Sequence, residues 1–320
     1  MTSPSTSFDD SALKDPSWKR ARAICNKSLP VHSNLSRLLR GAWTGGYDLH
    51  EMLRILSFSG TNPNVLLKVA GIHPSQGPAS RELLEESITR LGIRLSGIVL
   101  SISYTVQCLF RSDIGTHWRS LLQETMNSTE IGSIFGTKVV SLGSELGTVL
   151  GFGRYLGQII MMAYNKDYHK ACFAPNKPND PALQIDRYGC ESYQVGAFGL
   201  QELGFGADVA MSLVLAAGNL HNMHIEVTPQ LTYLRGAFLW IDALHLGRNY
   251  PAEVAARSLF PEITPPREQN ARNQQLESLH AEISRVRSKG SSWTWHLPFP
   301  SYEETMEWIT AHPSPADRVF

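Results

Sequence analysis

Apolar residues recur along this chain at three- and four-residue intervals, and glycine, proline and short polar runs interrupt them. That spacing predicts helices. The first begins near Pro16, a favourable first-turn proline, and runs through Trp18 to Asn26. Leu35, Leu38 and Leu39 mark a second. Asp48 is placed to cap a third over 49–58, with Leu49, Met52, Leu53 and Leu56 on one stripe. Asn62-Pro63 opens a short helix over 64–70. Ser80 opens an amphipathic one through Leu83, Leu84, Ile88 and Leu91, stopped at Gly92. Ile93 to Phe110 is apolar nearly all round, as expected of a helix central in a bundle.

The second half repeats the pattern. Trp118 to Met126 reads as one helix, and Ser128 to Leu150 as a longer one carrying Ile131, Ile134, Phe135, Val139, Leu142 and Leu146. Gly132, Gly136, Gly143 and Gly147 recur within it. Each costs about 1 kcal/mol relative to Ala in a helix interior, so the spacing predicts a face where another helix packs very close. Lys138, Ser141, Ser144 and Glu145 argue against a membrane dimerisation stripe. Gly151-Phe152-Gly153-Arg154-Tyr155-Leu156-Gly157 then leads into the apolar run Gln158 to Met162. Residues 165–181 read as a loop. Helical patterns resume over 183–203, 208–218 and 228–246. Beyond them Pro261, Pro265 and Pro266 form a linker. A polar helix over 269–288 carries a narrow stripe of Leu276, Leu279, Ile283 and Val286. An aromatic segment, Trp293 to Pro300, and a last helix, Tyr302 to Thr310 with Trp308, close the chain. The fold class expected is all-α, a multi-helix bundle with a C-terminal helical extension.

Composition narrows the function classes. The 320 residues are 42% hydrophobic and 18% charged, which is the balance of a globular chain with a sizeable core. Lys plus Arg is 29 and Asp plus Glu is 29, so no overall field favours nucleic acid or acidic membranes. Lys19, Arg20, Arg22 and Lys27 give the first helix a basic face, read as a solvated surface; nucleic-acid binding there is the less favoured alternative. Cys25, Cys108, Cys172 and Cys190 have neither disulfide-framework nor zinc-site spacing and are expected to be reduced. The polar start, Met1 to Ser7, lacks a signal core. The apolar run Leu95 to Phe110, broken by Ser96, Ser101, Ser103 and Gln107, reads as too short and polar for a membrane span. The expectation is a cytoplasmic protein without a membrane.

The central stretch Gly151 to Gly157 resembles the Gly-Leu-Leu-His-Asp-Ile-Gly segment of the HD superfamily, and in particular of HDOD signalling domains. Other landmarks appear in family order: Leu29-Pro30, then Leu66-Leu67-Lys68-Val69-Ala70, then Leu91-Gly92 and the apolar helix behind it. Gly71 stands where the family commonly has Asn. Arg187 to Ala197 is similar to a Phe-Gly-x-x-His-x-x-Val-Gly segment, with Ser192 at the histidine position. The resemblance covers about 28–248, leaving 1–27 as an N-terminal arm with a short helix and 249–320 as linker and extension.

What the resemblance implies about chemistry is a loss. An HD phosphohydrolase holds divalent metal through imidazoles and carboxylates. The adjacent His-Asp pair of the family falls on Arg154-Tyr155. Its early His falls on Asn127, or on Ser120 in an alternative register. Arginine cannot coordinate a cation. The implied pocket of Asn127, Arg154, Tyr155 and Ser192 is therefore expected to hold no metal and no cofactor. Arg154 either pairs with a carboxylate such as Glu130 or Glu191, the favoured reading, or holds an anionic small ligand. His221 and His224, and Asp242 and His245, are three residues apart; together they could supply rearranged ligands for a metal-dependent phosphohydrolase, the alternative to the favoured reading. His169 and Cys172 share that spacing beside a loop. No phosphate-binding glycine loop and no nucleophile elbow is present. The favoured expectation is a non-catalytic signalling or regulatory module with a protein partner. Trp293, Trp295 and the Tyr302 to Thr310 helix are its candidate docking segment or an intramolecular clasp, and the 269–288 helix could lie on the main domain or on a partner.

Overall fold

The computed structural model describes residues 15–57, 59, 63–72, 80–110, 118–165, 167–168, 180–221, 223–266 and 272–295. Among them there is no strand, and the fold is an all-α, multi-helix bundle. We number its α-helices in order: α1 Pro16–Ser28, α2 Ser33–Thr44, α3 Leu49–Leu56, α4 Asn64–Val69, α5 Arg81–Leu91, α6 Ile93–Phe110, α7 Trp118–Lys138, α8 Ser144–Tyr164, α9 Pro181–Tyr188, α10 Ser192–Glu202, α11 Ala207–Ala217, α12 Pro229–His245, α13 Val254–Arg257 and α14 Gln274–Lys289. Short 3-10 turns occupy Pro261–Ile263 and Ser292–Trp295.

Local signals start most of these helices where the sequence placed them. The Asp15 carboxylate accepts the Ser17 N–H at 2.8 Å ahead of Pro16. Asp48 and Glu51 form a reciprocal capping box at α3. Ser80, Asp180 and Thr228 cap α5, α9 and α12. The cap expected of Asn62 falls outside the described residues, as do the 73–79 loop and most of the 165–181 segment, His169 and Cys172 included. So does the Tyr302 to Thr310 helix.

Two expected helices are divided. The pattern over 128–150 is not one helix: α7 runs on from Trp118 to Lys138, and the chain turns back through Val139–Gly143 into α8. Gly143 takes φ 79, a conformation that L residues with side chains rarely adopt, and Val140 projects 82% exposed at the corner. The pattern over 183–203 is divided by Gly189, which ends α9 in the left-handed region at φ 74.

Helix α8 is the hub, with α1, α6, α7, α10 and α12 packed around it. Its contact with α7 is backbone to backbone. A Cβ added at Gly132 would overlap the Gly147 carbonyl oxygen, and one at Gly147 would overlap that of Gly132. A Cβ at Gly136 would overlap the Gly143 carbonyl oxygen, and one at Gly151 that of Ser128. The glycine spacing was thus correctly read as a close-packing face, but the partner is the next helix of the same hairpin. On the other side of α8, Gly157 lies against the Ser192 carbonyl at the start of α10.

One hydrophobic core runs from Trp18 in α1 to Val286 in α14. Trp18, Ala21, Ile24 and Cys25 are fully buried, so the N-terminal helix belongs to the bundle. Of its basic residues, Lys19, Arg20 and Lys27 are exposed; Arg20 donates to the Tyr188 carbonyl and the Tyr164 hydroxyl. Leu276, Leu279, Ile283 and Val286 place the stripe of α14 in the same core. Helix α6 is a full 18 residues, long and apolar enough by length and composition alone to cross a bilayer, which corrects the shorter reading from Leu95; 72% of it is buried inside the fold. Cys25, Cys108 and Cys190 are buried and form no disulfide among the described residues, and burial pushes the Cys190 thiol up to about 12, far from a reactive thiolate.

The hairpin contact predicts a sharp asymmetry among glycines. Gly147→Ala is expected to lower stability to urea by at least about 2 kcal/mol, because backbone must move to admit the methyl group. Gly46→Ala, whose added Cβ meets only ordinary van der Waals contacts, is expected to change it by less than about 0.5 kcal/mol.

Candidate functional site

The hairpin brings the middle of α7 and the middle of α8 to the same level. Ser128 Oγ donates to the Gly151 carbonyl at 2.8 Å, tying the two helices just before Arg154 and Tyr155. Helix α12 packs across both and presents Asp242 and His245 from successive turns of one face.

Arg154 Nε donates to Asp242 Oδ1 at 2.6 Å. Its guanidinium also lies 4.6 Å from the centre of the Tyr155 ring. The Tyr155 hydroxyl is 2.9 Å from His245 Nε2, and His245 Nε2 is 2.8 Å from Glu124 Oε2 on α7. Five side chains from three helices thus form a chain: Asp242, Arg154, Tyr155, His245, Glu124. The Arg154 side chain is 17% exposed and Asp242 43%, whereas His245 is 3% exposed. The cluster opens to solvent at its ion pair and closes around the imidazole.

Burial holds the His245 imidazole below its ordinary pKa; the nearby Arg154 charge acts in the same direction, and the Glu124 hydrogen bond opposes them. His245 is therefore neutral at pH 7. Glu124 needs a donor, so the proton belongs on Nε2, where it lies between Glu124 and the Tyr155 oxygen. His245 Nδ1 is buried and has no hydrogen-bond partner among the described residues. Burial likewise raises the Tyr155 phenol, chiefly by desolvation, so it stays protonated. Desolvation acts to lower the Arg154 pKa, and the Asp242 carboxylate, by its charge and hydrogen bond, acts to raise it, so the guanidinium stays charged.

The carboxylate partner of Arg154 is neither of those expected. Glu191 accepts from Asn219 Nδ2 at 2.8 Å and meets His221 Nε2 at 2.5 Å. Glu130, only 5% exposed, serves the C-terminal extension. It accepts from Ser291 Oγ at 2.7 Å, from the Ser292 N–H at 2.6 Å and from Ser292 Oγ at 3.1 Å, with Arg285 Nη2 at 3.3 Å. Asn127 Oδ1, one turn earlier on α7, accepts the Ser291 N–H at 2.8 Å. Trp293 then packs on the edge of the core. Glu130 and Asn127 form a latch that fastens the end of α14 to α7.

The four residues read as one pocket are thus divided among three tasks. Arg154 and Tyr155 join Asp242 and His245. Asn127 holds the extension. Ser192 starts α10, where its backbone N–H donates to Gln184 Oε1 at 2.6 Å. The proposed rearranged ligands also separate: His221 is bound to Glu191, His224 is exposed, and only Asp242 and His245 share the cluster. Among the described residues no group of three or more His, Cys, Asp and Glu is arranged to hold a metal ion. Sequence reasoning missed Glu124. Its one available signal was register, since it precedes Ser128 by one turn on the face that meets α8. Comparison of the chain with protein-family models, with curated proteins and with solved structures finds no match.

Two outcomes follow. His245 has a folded-state pKa below its unfolded value of about 6.5, so its contribution to stability is complete above that value and is lost as pH falls through the folded one. Urea unfolding measured from pH 5 to 8 should show stability declining on the acid side, and His245→Gln, which keeps an amide donor without titrating, should flatten that decline. Glu130→Ala strands the Ser291 and Ser292 donors; a loss of about 1–3 kcal/mol is expected, with faster hydrogen exchange at residues 290–293.

Proposed function

We propose that this chain is a non-catalytic regulatory module, similar to HDOD domains in its helical plan and carrying no hydrolytic metal centre. The observation that supports the reading is the use made of the Arg154-Tyr155 pair. A fixed cation occupies the place where a metal ligand is expected, and it is neutralised by Asp242 from another helix. Its neighbour is tied into a neutral Tyr155–His245 link. These contacts join three helices to one another.

An interaction role fits the position of the latch. The end of the extension, at Ser291 and Ser292, is fastened to α7 by polar contacts with Glu130. A partner protein that takes hold of the aromatic C-terminal segment would compete with this fastening. The reading includes a soluble cytoplasmic setting and a signalling protein as partner, and nucleic acid is not part of it.

Elemental analysis of the purified full chain, before and after incubation with manganese, iron or zinc, tests the proposal. Less than stoichiometric metal is expected under all conditions, with no phosphomonoesterase or phosphodiesterase activity that chelator removes. Near-stoichiometric metal with chelator-sensitive hydrolysis would reverse the reading and return attention to His245 and Asp242.

A further inference from the structure

We infer that the groove on the outer face of α2 is a binding site for a small phosphorylated molecule. This inference is independent of the regulatory reading and of Arg154. The inner face of α2 is ordinary core, with Leu35, Leu38, Leu39 and Ala42 buried. The outer face repeats Ser33, Ser36, Arg37, Arg40 and Thr44 at helical spacing, and these residues line a groove of about 430 Å³. The groove is open to solvent, with Ser33, Arg37, Arg40 and Thr44 exposed, and its volume is larger than a bare phosphate requires.

The groove is built by a turn. Gly45, in the left-handed region at φ 72, ends α2 and returns the chain so that Tyr47 lies back across the helix. Gly41 makes room for it, since any Cβ there would overlap the Tyr47 ring. The Tyr47 hydroxyl donates to the Arg37 carbonyl at 3.2 Å, and Thr44 Oγ1 donates to the Arg40 carbonyl at 2.9 Å. The aromatic wall is thereby fixed, with its ring along the groove.

What remains uncommitted in the lining is donors. The Arg37 and Arg40 guanidiniums have no carboxylate or hydrogen-bond partner among the described residues, and neither do the Ser33 and Ser36 hydroxyls. No acidic residue lines the groove. Two adjacent forked cations with two hydroxyls call for a ligand rich in acceptor oxygens and carrying about two negative charges, which a phosphate group supplies and a single carboxylate does not. Tyr47 adds an aromatic side chain to the lining for the organic body of such a molecule.

Equilibrium titration of the full chain at low salt with inorganic pyrophosphate, with ADP and with succinate tests this. Saturable binding of pyrophosphate and ADP is expected, at least about tenfold tighter than succinate. Arg37→Ala/Arg40→Ala should weaken both phosphate probes by about tenfold or more, and Arg37→Lys/Arg40→Lys by less, because charge is kept and the fork is lost. Both arginines are exposed, so circular dichroism should confirm an unchanged fold in each variant. Arg154→Ala should bind as the parent does. Failure of both phosphate probes to bind, equal affinity for succinate, or unchanged affinity in the double alanine variant would each overturn the inference.

Discussion

The contact between the backbones of α7 and α8 is the constraint on which the rest of this molecule depends. Two helices normally keep their axes apart by the width of their side chains. Here Gly132, Gly136, Gly147 and Gly151 remove that spacer, and Cα hydrogens face carbonyl oxygens across the seam. The arrangement sacrifices helix propensity at each glycine, and dense packing along the whole hairpin offsets that loss. It also fixes register. Once Gly132 and Gly147 are opposed, Ser128 must face Gly151, and Glu124 is delivered to the level of Tyr155. The Gly157–Ser192 crossing sets α10 against the other side of the same helix. The relative positions of Glu124, Arg154 and Tyr155 follow from the hairpin, and α12 brings Asp242 and His245 to them.

On that rigid frame the buried polar residues act as selectors of orientation. A hydrophobic seam tolerates sliding; the chain from Asp242 to Glu124 does not, because displacement by one turn would leave Glu124, His245 and Tyr155 without partners in a region of low dielectric. The same logic applies at Glu130, whose oxygens are occupied by donors from one short segment. The two constellations differ in kind. The Arg154 cluster joins helices that the core already holds together. The Glu130 latch joins the bundle to a segment at the end of the described chain, so its opening disturbs far less of the core.

Much of the helical plan was legible because it is local. Capping residues, first-turn prolines and apolar stripes act over one or two turns, and α3, α5, α6 and α12 lie where such signals put them. The boundaries that failed did so where the apolar pattern continues through a corner. Val139 and Leu142 keep the stripe alive through the turn after α7, and only the left-handed Gly143 breaks it. The cluster was half legible. Asp242 and His245 were recognisable as sharing a face, and Arg154 as needing an acid. That the acid is Asp242, 88 positions away, is decided by how α12 crosses the hairpin, which no local periodicity encodes. Asn127 was singled out for a pocket and Glu130 as a partner for Arg154, whereas both bind the extension, and its register against α7 is encoded by no local pattern.

The apolar character of α6 bears on how the chain comes into being. Synthesis proceeds from the N-terminus, so α6 leaves the ribosome while α8, the helix that covers much of it, is still to be made. In that interval a nascent helix with the length and apolarity of a bilayer span stands uncovered. Ser101 and Thr105 return their hydroxyls to carbonyls of their own helix, and Ser96 to that of Gly92 just before it, so their polarity is muted. Helices α2, α4 and α5, already synthesised and packed on α6 in the finished fold, are the available shelter. The early half of the bundle is therefore already in place to cover the longest apolar helix among the described residues before its later neighbour is made.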